Sequence, residues 1–390
     1  MTAAKGGEGR RRAAKGLTLL TLATVACGQP RPVPPITIQP QSYGRFQPVV
    51  AYLRSQVDSA FPGATIAVGY RDSVVLLAAV GHYGADDKRP VTTETIYDLA
   101  SLTKVIGLTT AAMMLVDQGK LDLDAPVQRY VPAFQGADKE RVLIRHLLTH
   151  SSGMPAWRPL YAEANTREEA LALVDTTALL KQPGDTFVYS DLGAITLTRA
   201  VEAITGQRLN DFLDSRLFGP LGMRSTRYLP PESWRERIAP TENDTVFRHR
   251  LLRGEVHDEN AGRLGGVSGH AGLFSTAPDL ARFATWLLRL RTIDSLPVRD
   301  FTRKQGIPPG SSRALGWDTP SENSSAGTKM GPNAFGHTGF TGTSIWFDPD
   351  RNLFIVLLTN RVNPTRTNTK IFQVRRRVAD LVNEILTPPQ

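Results

Sequence analysis

The signatures of several common enzyme classes are missing from this chain of 390 residues. It has no G-x-S-x-G segment, which speaks against the nucleophile turn of α/β-hydrolases. It also has no G-x-G-x-x-G segment, no phosphate-binding loop, no H-E-x-x-H pair of metal ligands and no internal repeat. The composition is that of an ordinary globular protein, 41% hydrophobic and 21% charged. We therefore expect a globular domain that contains none of these catalytic, nucleotide-binding or metal-binding motifs.

Cysteine is almost absent as well, and basic charge is not concentrated enough to indicate a nucleic-acid site. Cys27 is the single cysteine, and a cysteine-free body suits export because nothing in it can mispair by oxidation. The formal charge is +9, but residues 1–26 carry five Lys or Arg and one Glu, which leaves 41 basic and 36 acidic residues in the remainder. Apart from the run 375–377 the excess is scattered, without interleaved aromatics. We expect no nucleic-acid partner.

The N-terminus resembles a targeting segment. Basic residues at 10–15 precede the apolar stretch LTLLTLATVA at 17–26. This stretch is too short to span a bilayer, which needs about 20 apolar residues. It ends in TVAC, similar to the bacterial lipobox whose cysteine becomes lipidated, although Thr24 replaces the usual Leu. We expect residues 1–27 to be a signal peptide with a lipid-anchored Cys27; cleavage that leaves Cys27 in a flexible tail is the alternative. Both place the mature protein outside the cytoplasm, in the periplasm or cell envelope.

The rest of the chain divides into a linker and one folded domain. Residues 28–45 are rich in proline and predict an extended linker. The folded domain spans 46–387, with strand patterns near both ends and helical patterns between them. We predict an α+β fold in which both chain ends (46–98 and 265–387) form one antiparallel sheet flanked by helices, while 99–264 form a mostly helical lobe. A cleft between the lobes would suit a small ligand.

The segment SLTK places a hydroxyl and an amine three positions apart. We predict a helix from about Leu99 to Gln118 that ends at Gly119, and this spacing puts Ser101 and Lys104 on one face of it, about one turn apart. A serine hydroxyl needs a partner that accepts its proton, and a neutral lysine can do so if burial or nearby positive charge lowers its pKa. Ser101 is the one serine in the chain with Lys at this offset. A capping serine beside a solvated lysine is the competing interpretation.

Two later segments favour the catalytic interpretation. Tyr189 and Asp191 lie in VYSDLG at a predicted helix start, where a tyrosine could shuttle a proton between the serine and a leaving group. His337 lies in FGHTGFTGTS, which leads into a predicted strand. Small residues there would let a substrate lie against the strand edge, and a backbone N–H could complete an oxyanion hole.

These three segments, in this order, resemble those of the serine β-lactamase and penicillin-binding protein superfamily, which carries S-x-x-K, a Tyr or Ser motif and K-T-G. The chain is most similar to the class C β-lactamase-like branch, which includes D-Ala-D-Ala carboxypeptidases and esterases and in which H-T-G can replace K-T-G. The segments GKLDLDAPVQRYVP, HLLTHSSGMP and GGVSGHAGLFST are also similar to that branch. The resemblance covers about residues 50–385 and implies a β-lactamase/transpeptidase-like fold.

The resemblance also implies roles for individual residues. Ser101 would attack a carbonyl to form an acyl-enzyme, Lys104 would help to accept its proton, and Tyr189 would relay that proton to the leaving group. The backbone N–H groups of Ser101 and Phe340 would form the oxyanion hole. Substrate-binding positions would complete the site: Asp191, His337, Thr338 and Gly339.

Two departures from the best-known members affect the expected substrate. Asp191 replaces Asn, and an ionised Asp only accepts hydrogen bonds where Asn can also donate. His337 replaces Lys, so the charge expected beside a substrate carboxylate depends on pH. We therefore expect an exported serine hydrolase, without a cofactor, acting on D-Ala peptides of peptidoglycan type, small esters or β-lactams. The alternative is a penicillin-binding or sensor protein that acylates without turnover.

Two groups of residues raise the question of a metal site. His257, Asp258 and Glu259 are adjacent and cannot easily converge on one ion, so a loop that lines the cleft is the favoured interpretation. His146 and His150 lie four apart on a helical segment, where hydrogen bonds at the helix end are favoured over ligation. We expect no metal.

Overall fold

The computed structural model describes residues 1–4, 43–293, 297–322 and 324–386. The predicted leader and linker fall almost entirely on residues 5–42, so Cys27 lies outside the described residues. Among the described helices, none is long and apolar enough to cross a membrane.

The largest element is a five-stranded antiparallel sheet, whose strands lie in the order β2 (Ser73–Gly81), β1 (Gly63–Tyr70), β10 (Leu353–Thr359), β9 (Ser344–Asp348) and β8 (Phe335–Thr338). Its central pair joins the two chain ends, since Ala64 of β1 faces Thr359 of β10 and Tyr70 faces Leu353. The strands of the chain are β1 Gly63–Tyr70, β2 Ser73–Gly81, β3 Tyr97–Asp98, β4 Arg227–Tyr228, β5 Asn243–Asp244, β6 Arg250–Leu251, β7 Leu273–Ser275, β8 Phe335–Thr338, β9 Ser344–Asp348 and β10 Leu353–Thr359. The predicted union of both chain ends in one sheet is confirmed.

Helices cover the two faces of this sheet and build the second lobe. They are α1 Gln47–Ser55, α2 Thr110–Asp117, α3 Ile144–Leu148, α4 Leu160–Glu163, α5 Arg167–Thr176, α6 Asp191–Thr205, α7 Leu209–Leu213, α8 Glu259–Arg263, α9 Ala277–Ile293, α10 Val298–Thr302 and α11 Ile371–Leu386. Wider π-helical turns span Lys104–Thr109 and Asp214–Phe218. Helices α1 and α11 pack together against one face of the sheet, and α9 packs on β1 and β10 from the other.

The burial of each strand follows its place in the sheet. All seven residues of β10 are buried because helices cover both sides of this central strand. Edge strand β2 alternates between buried and partly exposed positions, the pattern expected of a strand that is covered less completely. Burying a Leu, Ile or Val side chain contributes roughly 1.5–3 kcal/mol, so the central strands anchor the fold.

The helical segment after Ser101 differs from its prediction. We expected one helix from about Leu99 to Gln118. The chain instead makes a turn at residues 99–101, continues as a π-helix and becomes regular only at α2. Gly119 ends the helix as predicted, with a φ of +65° that costs glycine no Cβ strain. The early turn places Ser101 just before the helix.

Candidate active site

The turn that carries Ser101 is held by its neighbour Asp98. This carboxylate accepts the backbone N–H of Ala100 at 2.7 Å and that of His257 at 2.7 Å. Ala100 adopts a φ of +46°, which is uncommon for a residue with a Cβ and is sustained only where surrounding contacts enforce it. Pairing of β3 with β7 anchors the preceding residues. The strained turn directs Ser101 towards the cleft, where it is partly exposed.

Lys104 lies beneath Ser101 and is 3% exposed. Its Nζ donates to Ser101 Oγ at 3.1 Å and to the carbonyl of His270 at 3.0 Å, and lies 2.7 Å from Asp191 Oδ1. Ser101 and His270 thus accept two of the three N–H bonds of the ammonium group, and Asp191 is its counterion. The interpretation as a solvated surface lysine is wrong, because the amine is buried and bonded to the serine.

The protonation of Lys104 differs from the sequence-based expectation. Burial is the largest single influence and lowers its pKa, as expected, but the adjacent Asp191 carboxylate and the Tyr189 phenol together outweigh burial. The net pKa is therefore raised above the ordinary lysine value. Asp191 lies against the catalytic lysine candidate, and the ion pair opposes the neutral amine that would accept the serine proton.

The carbonyl that binds Lys104 belongs to a buried polar chain. The ring of His270 lies between Ser268 Oγ at 2.7 Å and Asp258 Oδ1 at 2.8 Å. Asp258 also caps α8 by accepting the N–H of Ala261, and the neighbouring His270 lowers its pKa although burial acts in the opposite direction. The segment GGVSGHAG therefore supports the floor of the site below Lys104.

Tyr189 lies between two imidazole rings. Its ring centroid is 4.4 Å from that of His150 and 5.9 Å from that of His337, and the Lys104 ammonium lies 5.0 Å from it. His150 Nδ1 accepts the N–H of Ser190 at 3.1 Å, which ties the ring to the start of α6. Burial lowers the pKa of His150 well below its ordinary value, so this ring is neutral near pH 7. His150 thus packs against Tyr189.

His337 does not supply the pH-dependent charge that its place in the H-T-G segment suggested. The side chain is buried, and its Nδ1 donates to the Thr338 carbonyl at 2.8 Å. Burial first, and then the Arg313 guanidinium and Lys104 ammonium, lower its pKa well below the ordinary value. The ring is therefore neutral at physiological pH, and its Nε2 has no hydrogen-bond partner among the described residues.

Gly339 and Phe340 line the same cleft as the serine. A Cβ on Gly339 would overlap the Leu99 carbonyl oxygen and the Thr343 hydroxyl, so glycine is needed for close packing. Thr343 Oγ1 donates to that same Leu99 carbonyl at 2.9 Å. Within the described part of the chain, the backbone N–H groups of Ser101 and Phe340 donate to no protein acceptor. Both remain available for an oxyanion.

The predicted site residues meet in one cleft of about 300 Å³. Its lining contains Ser101, Tyr189, His337, Thr338, Gly339 and Phe340, together with Arg313, Asp318, Arg361, Phe372 and Arg375. Lys104 and Asp191 lie behind the serine. Cys27 is the predicted functional residue that falls outside the described residues.

Sequence reasoning missed the three arginines of this cleft. Arg313 is 14% exposed, its nearest carboxylate is Asp318 at 3.7 Å, and its Nη1 has no hydrogen-bond partner in the described structure. Arg361 and Arg375 are both buried. No motif surrounds Arg313 or Arg361, whereas the helical period of α11 places Arg375 with apolar Ile371, Val374 and Val378, a detectable signal.

The residues considered for metal binding are engaged elsewhere. His257 Nε2 lies 2.9 Å from Glu242, and Glu259 receives a hydrogen bond from Arg366. His146 Nδ1 accepts the N–H of Leu143, a bond at the start of α3. The described residues contain no cluster of His, Cys, Asp or Glu that could hold a metal ion.

Comparison with known proteins identifies the family of this chain. Residues 45–380 match the family model described as Beta-lactamase. A curated protein from Salmonella schwarzengrund named "Putative D-alanyl-D-alanine carboxypeptidase" is 32% identical over 365 residues, which cover 82% of this chain and 83% of that protein.

Solved structures agree on the fold. EstCE1, described as a hydrolase with promiscuous acyltransferase activity, has a TM-score of 0.69 at 24% identity over 87% of this chain and 98% of its own. A class C beta lactamase has a TM-score of 0.69 at 20% identity over 88% of this chain and 98% of its own. The predicted fold class and superfamily are therefore confirmed. The chain belongs to the beta-lactamase family and is a serine hydrolase.

Proposed function

We propose that the chain removes terminal residues from D-Ala peptides of peptidoglycan type through an acyl-enzyme at Ser101. The observation that carries this proposal is the 3.1 Å hydrogen bond between Lys104 Nζ and Ser101 Oγ at the floor of a cleft that also contains Arg313. A guanidinium with an unused N–H suits a terminal carboxylate, which it can bind through two parallel hydrogen bonds. Arg313 replaces His337 in this role because His337 is neutral.

The proposed reaction assigns each step to a group at the cleft. Ser101 Oγ attacks the carbonyl carbon while its proton passes to neutral Lys104, and the oxyanion accepts from the N–H groups of Ser101 and Phe340. The intermediate collapses as the bond to the leaving group breaks, and Tyr189 passes the proton to that group. Water then hydrolyses the ester, which releases the acid and restores the Ser101 hydroxyl.

Ester hydrolysis is the second candidate. Phe340 and Phe372 are 48% and 55% exposed and line the same cleft, so an apolar acyl or alcohol group has a surface to contact. The structural relative EstCE1 is described as a hydrolase with promiscuous acyltransferase activity. The rival is a protein that acylates without turnover, because Asp191 and His337 depart from the residues of the best-known members of the superfamily.

The first experiment tests the nucleophile. We expect a fluorescent penicillin or a fluorophosphonate to label the purified protein, and Ser101→Ala to abolish labelling. Ser215→Ala, at an exposed serine, is the matched control and should label like the wild type. Equal labelling of Ser101→Ala would reject the proposal. Product release from D-Ala-D-Ala peptides, nitrocefin and p-nitrophenyl esters then separates turnover from acylation alone.

The second experiment tests the substrate class. We expect Arg313→Met to raise KM for a D-Ala-D-Ala peptide roughly 10-fold or more, as loss of a charged hydrogen bond implies, and to leave a neutral p-nitrophenyl ester within about 3-fold. Arg303→Met is the control, because Arg303 is exposed and pairs with Asp300. Equal effects on peptide and ester would argue against carboxylate recognition by Arg313.

We further propose export and lipidation at Cys27, supported by the basic, apolar and TVAC segments of the sequence. Labelled palmitate should enter the wild-type protein and not Cys27→Ser, and the variant should leave the membrane fraction. A mature N-terminus without lipid, identified by mass, would favour ordinary signal cleavage instead.

A further inference from the structure

One arginine of the basic run near the C-terminus is buried beside the cleft rather than exposed on the surface. Arg375 lies on α11 and is 4% exposed. Its Nη2 donates to the carbonyl oxygens of Gly339 at 2.6 Å and Thr343 at 2.7 Å. Among the described residues it has no carboxylate partner, and its Nε has no acceptor. A buried guanidinium without a counterion is costly, so ordinary packing does not explain it.

The surroundings of Arg375 disfavour the positive charge of its guanidinium. Burial and, to a smaller extent, the Arg361 guanidinium lower its pKa to about 9. An apolar residue of similar length would avoid this cost. Unlike an apolar side chain, the guanidinium can donate hydrogen bonds to two acceptors at once, the carbonyl oxygens of Gly339 and Thr343.

The position of the first carbonyl matters because of peptide geometry. The Gly339 carbonyl and the Phe340 N–H belong to the same planar peptide unit, in which C=O and N–H point in opposite directions. A donor that holds the Gly339 oxygen on the α11 side therefore directs the Phe340 N–H away from α11, and Phe340 lines the cleft that contains Ser101.

The next peptide unit is held in a similar way. Arg361 Nε donates to the Phe340 carbonyl at 2.7 Å, and its guanidinium lies 4.4 Å from the centre of the Phe340 ring. Thr341 Oγ1 donates to the Asp98 carbonyl at 2.7 Å. The loop thus cannot rotate either peptide that flanks Phe340 without breaking a bond from a buried arginine.

We propose that Arg375 is a positioning residue of the oxyanion hole, which it holds in its active orientation through the Gly339 carbonyl. This inference rests on the acyl-enzyme function proposed above. The charge has a second effect: a charged donor on the carbonyl polarises the amide and strengthens the hydrogen bond that its N–H donates. A negative oxyanion is the ligand that gains from this arrangement.

The test compares Arg375→Met and Arg375→Lys with Arg377→Met, a control on the exposed face of the same helix. With p-nitrophenyl acetate we expect Arg375→Met to lower kcat about 30- to 300-fold, near the loss seen when one oxyanion donor is removed, while KM changes less than about 3-fold. Arg375→Lys should recover about 10-fold of this loss because an ammonium still donates to the Gly339 oxygen. Arg377→Met should match the wild type.

A transition-state analogue provides the readout that a purely structural role would not move. Phenylboronic acid forms a tetrahedral adduct with a serine and places an oxygen in the oxyanion hole. We expect its Ki to rise in Arg375→Met by about the factor by which kcat/KM falls. An unchanged boronate Ki, a kcat within about 3-fold of Arg377→Met, or a loss confined to KM would overturn the inference.

Two further results distinguish a failure of this inference from a folding defect and from a failure of the proposed function. If Arg375→Met does not fold, Arg375→Lys decides alone: a lowered kcat and a weakened boronate at wild-type Tm support the inference, and wild-type values for both overturn it. Ser101→Ala tests the acyl-enzyme itself. If Ser101→Ala retains activity, the proposed function is rejected. If Ser101→Ala is inactive and Arg375→Met is fully active, only the role of Arg375 is rejected.

Discussion

Replacing Asp191 with Asn should activate Ser101 rather than disable it. Lys104 Nζ lies 2.7 Å from the Asp191 carboxylate, and at that distance two unit charges attract by about 6 kcal/mol with an effective dielectric constant of about 20. This figure is an upper bound for the change in Asp191→Asn, because Asp191 is 20% exposed and asparagine still accepts a hydrogen bond. Even a quarter of it corresponds to about a 10-fold change in the neutral fraction of Lys104.

The direction of the pH effect follows from the raised pKa of Lys104. A neutral amine forms only as the pH rises through that pKa, so the wild-type rate should still be increasing on the alkaline side. Loss of the carboxylate lowers the pKa and moves this increase towards neutral pH. We expect Asp191→Asn to raise kcat/KM at pH 7 by about 10-fold or more.

The assay is the profile of kcat/KM for p-nitrophenyl acetate from roughly pH 5 to pH 10. This ester has no amide for residue 191 to contact, which isolates the effect on Lys104. Asp117→Asn, at an exposed position at the end of α2, is the matched control and should leave the profile unchanged. A profile of Asp191→Asn that superimposes on the wild type, or a lower rate at every pH, would refute the reasoning.

Two further predictions concern stability. Burial depresses the pKa values of His150 and His337, so below the ordinary histidine pKa of about 6.5 the unfolded chain binds more protons than the folded one. The free energy of unfolding should therefore fall as the pH falls, by up to about 1.4 kcal/mol per pH unit for each ring. Urea denaturation should show a smaller loss of stability on acidification in His337→Gln than in the wild type; equal losses would contradict neutral burial. Gly339→Ala should lose about 1–3 kcal/mol and most activity, because the new methyl group overlaps the Leu99 carbonyl and the Thr343 hydroxyl. A wild-type Tm by scanning calorimetry would show that the loop can move aside.

Local patterns were sufficient for much of the architecture. The apolar strands at 63–81 and 335–359 were predictable because each lies between clear turn residues, and the pairing of β1 with β10 buries them in one sheet. The exception was the segment after Ser101, where helical residues form a tight turn and a π-helix. Tertiary contacts through Asp98 overrode the local preference there.

The contacts between distant parts of the chain were harder to predict from the sequence. Asp191 was predicted to face the substrate and lies against Lys104, and His337 was predicted to titrate and is neutral. Both outcomes depend on which groups lie nearby and on how much water is excluded, and neither quantity is a property of a residue type. Arg375 seemed to be part of a solvated basic run until its helix was packed against the sheet.

The sequence by itself determined which side chains the site would contain, because S-x-x-K, the tyrosine segment and H-T-G each need particular chemical groups at short spacings. Only the tertiary structure decided the charges of those groups and the orientation of the Phe340 peptide. Burial, the Asp191 carboxylate and the Arg375 guanidinium set these properties, and folding brings each of them to the site from a distant part of the chain.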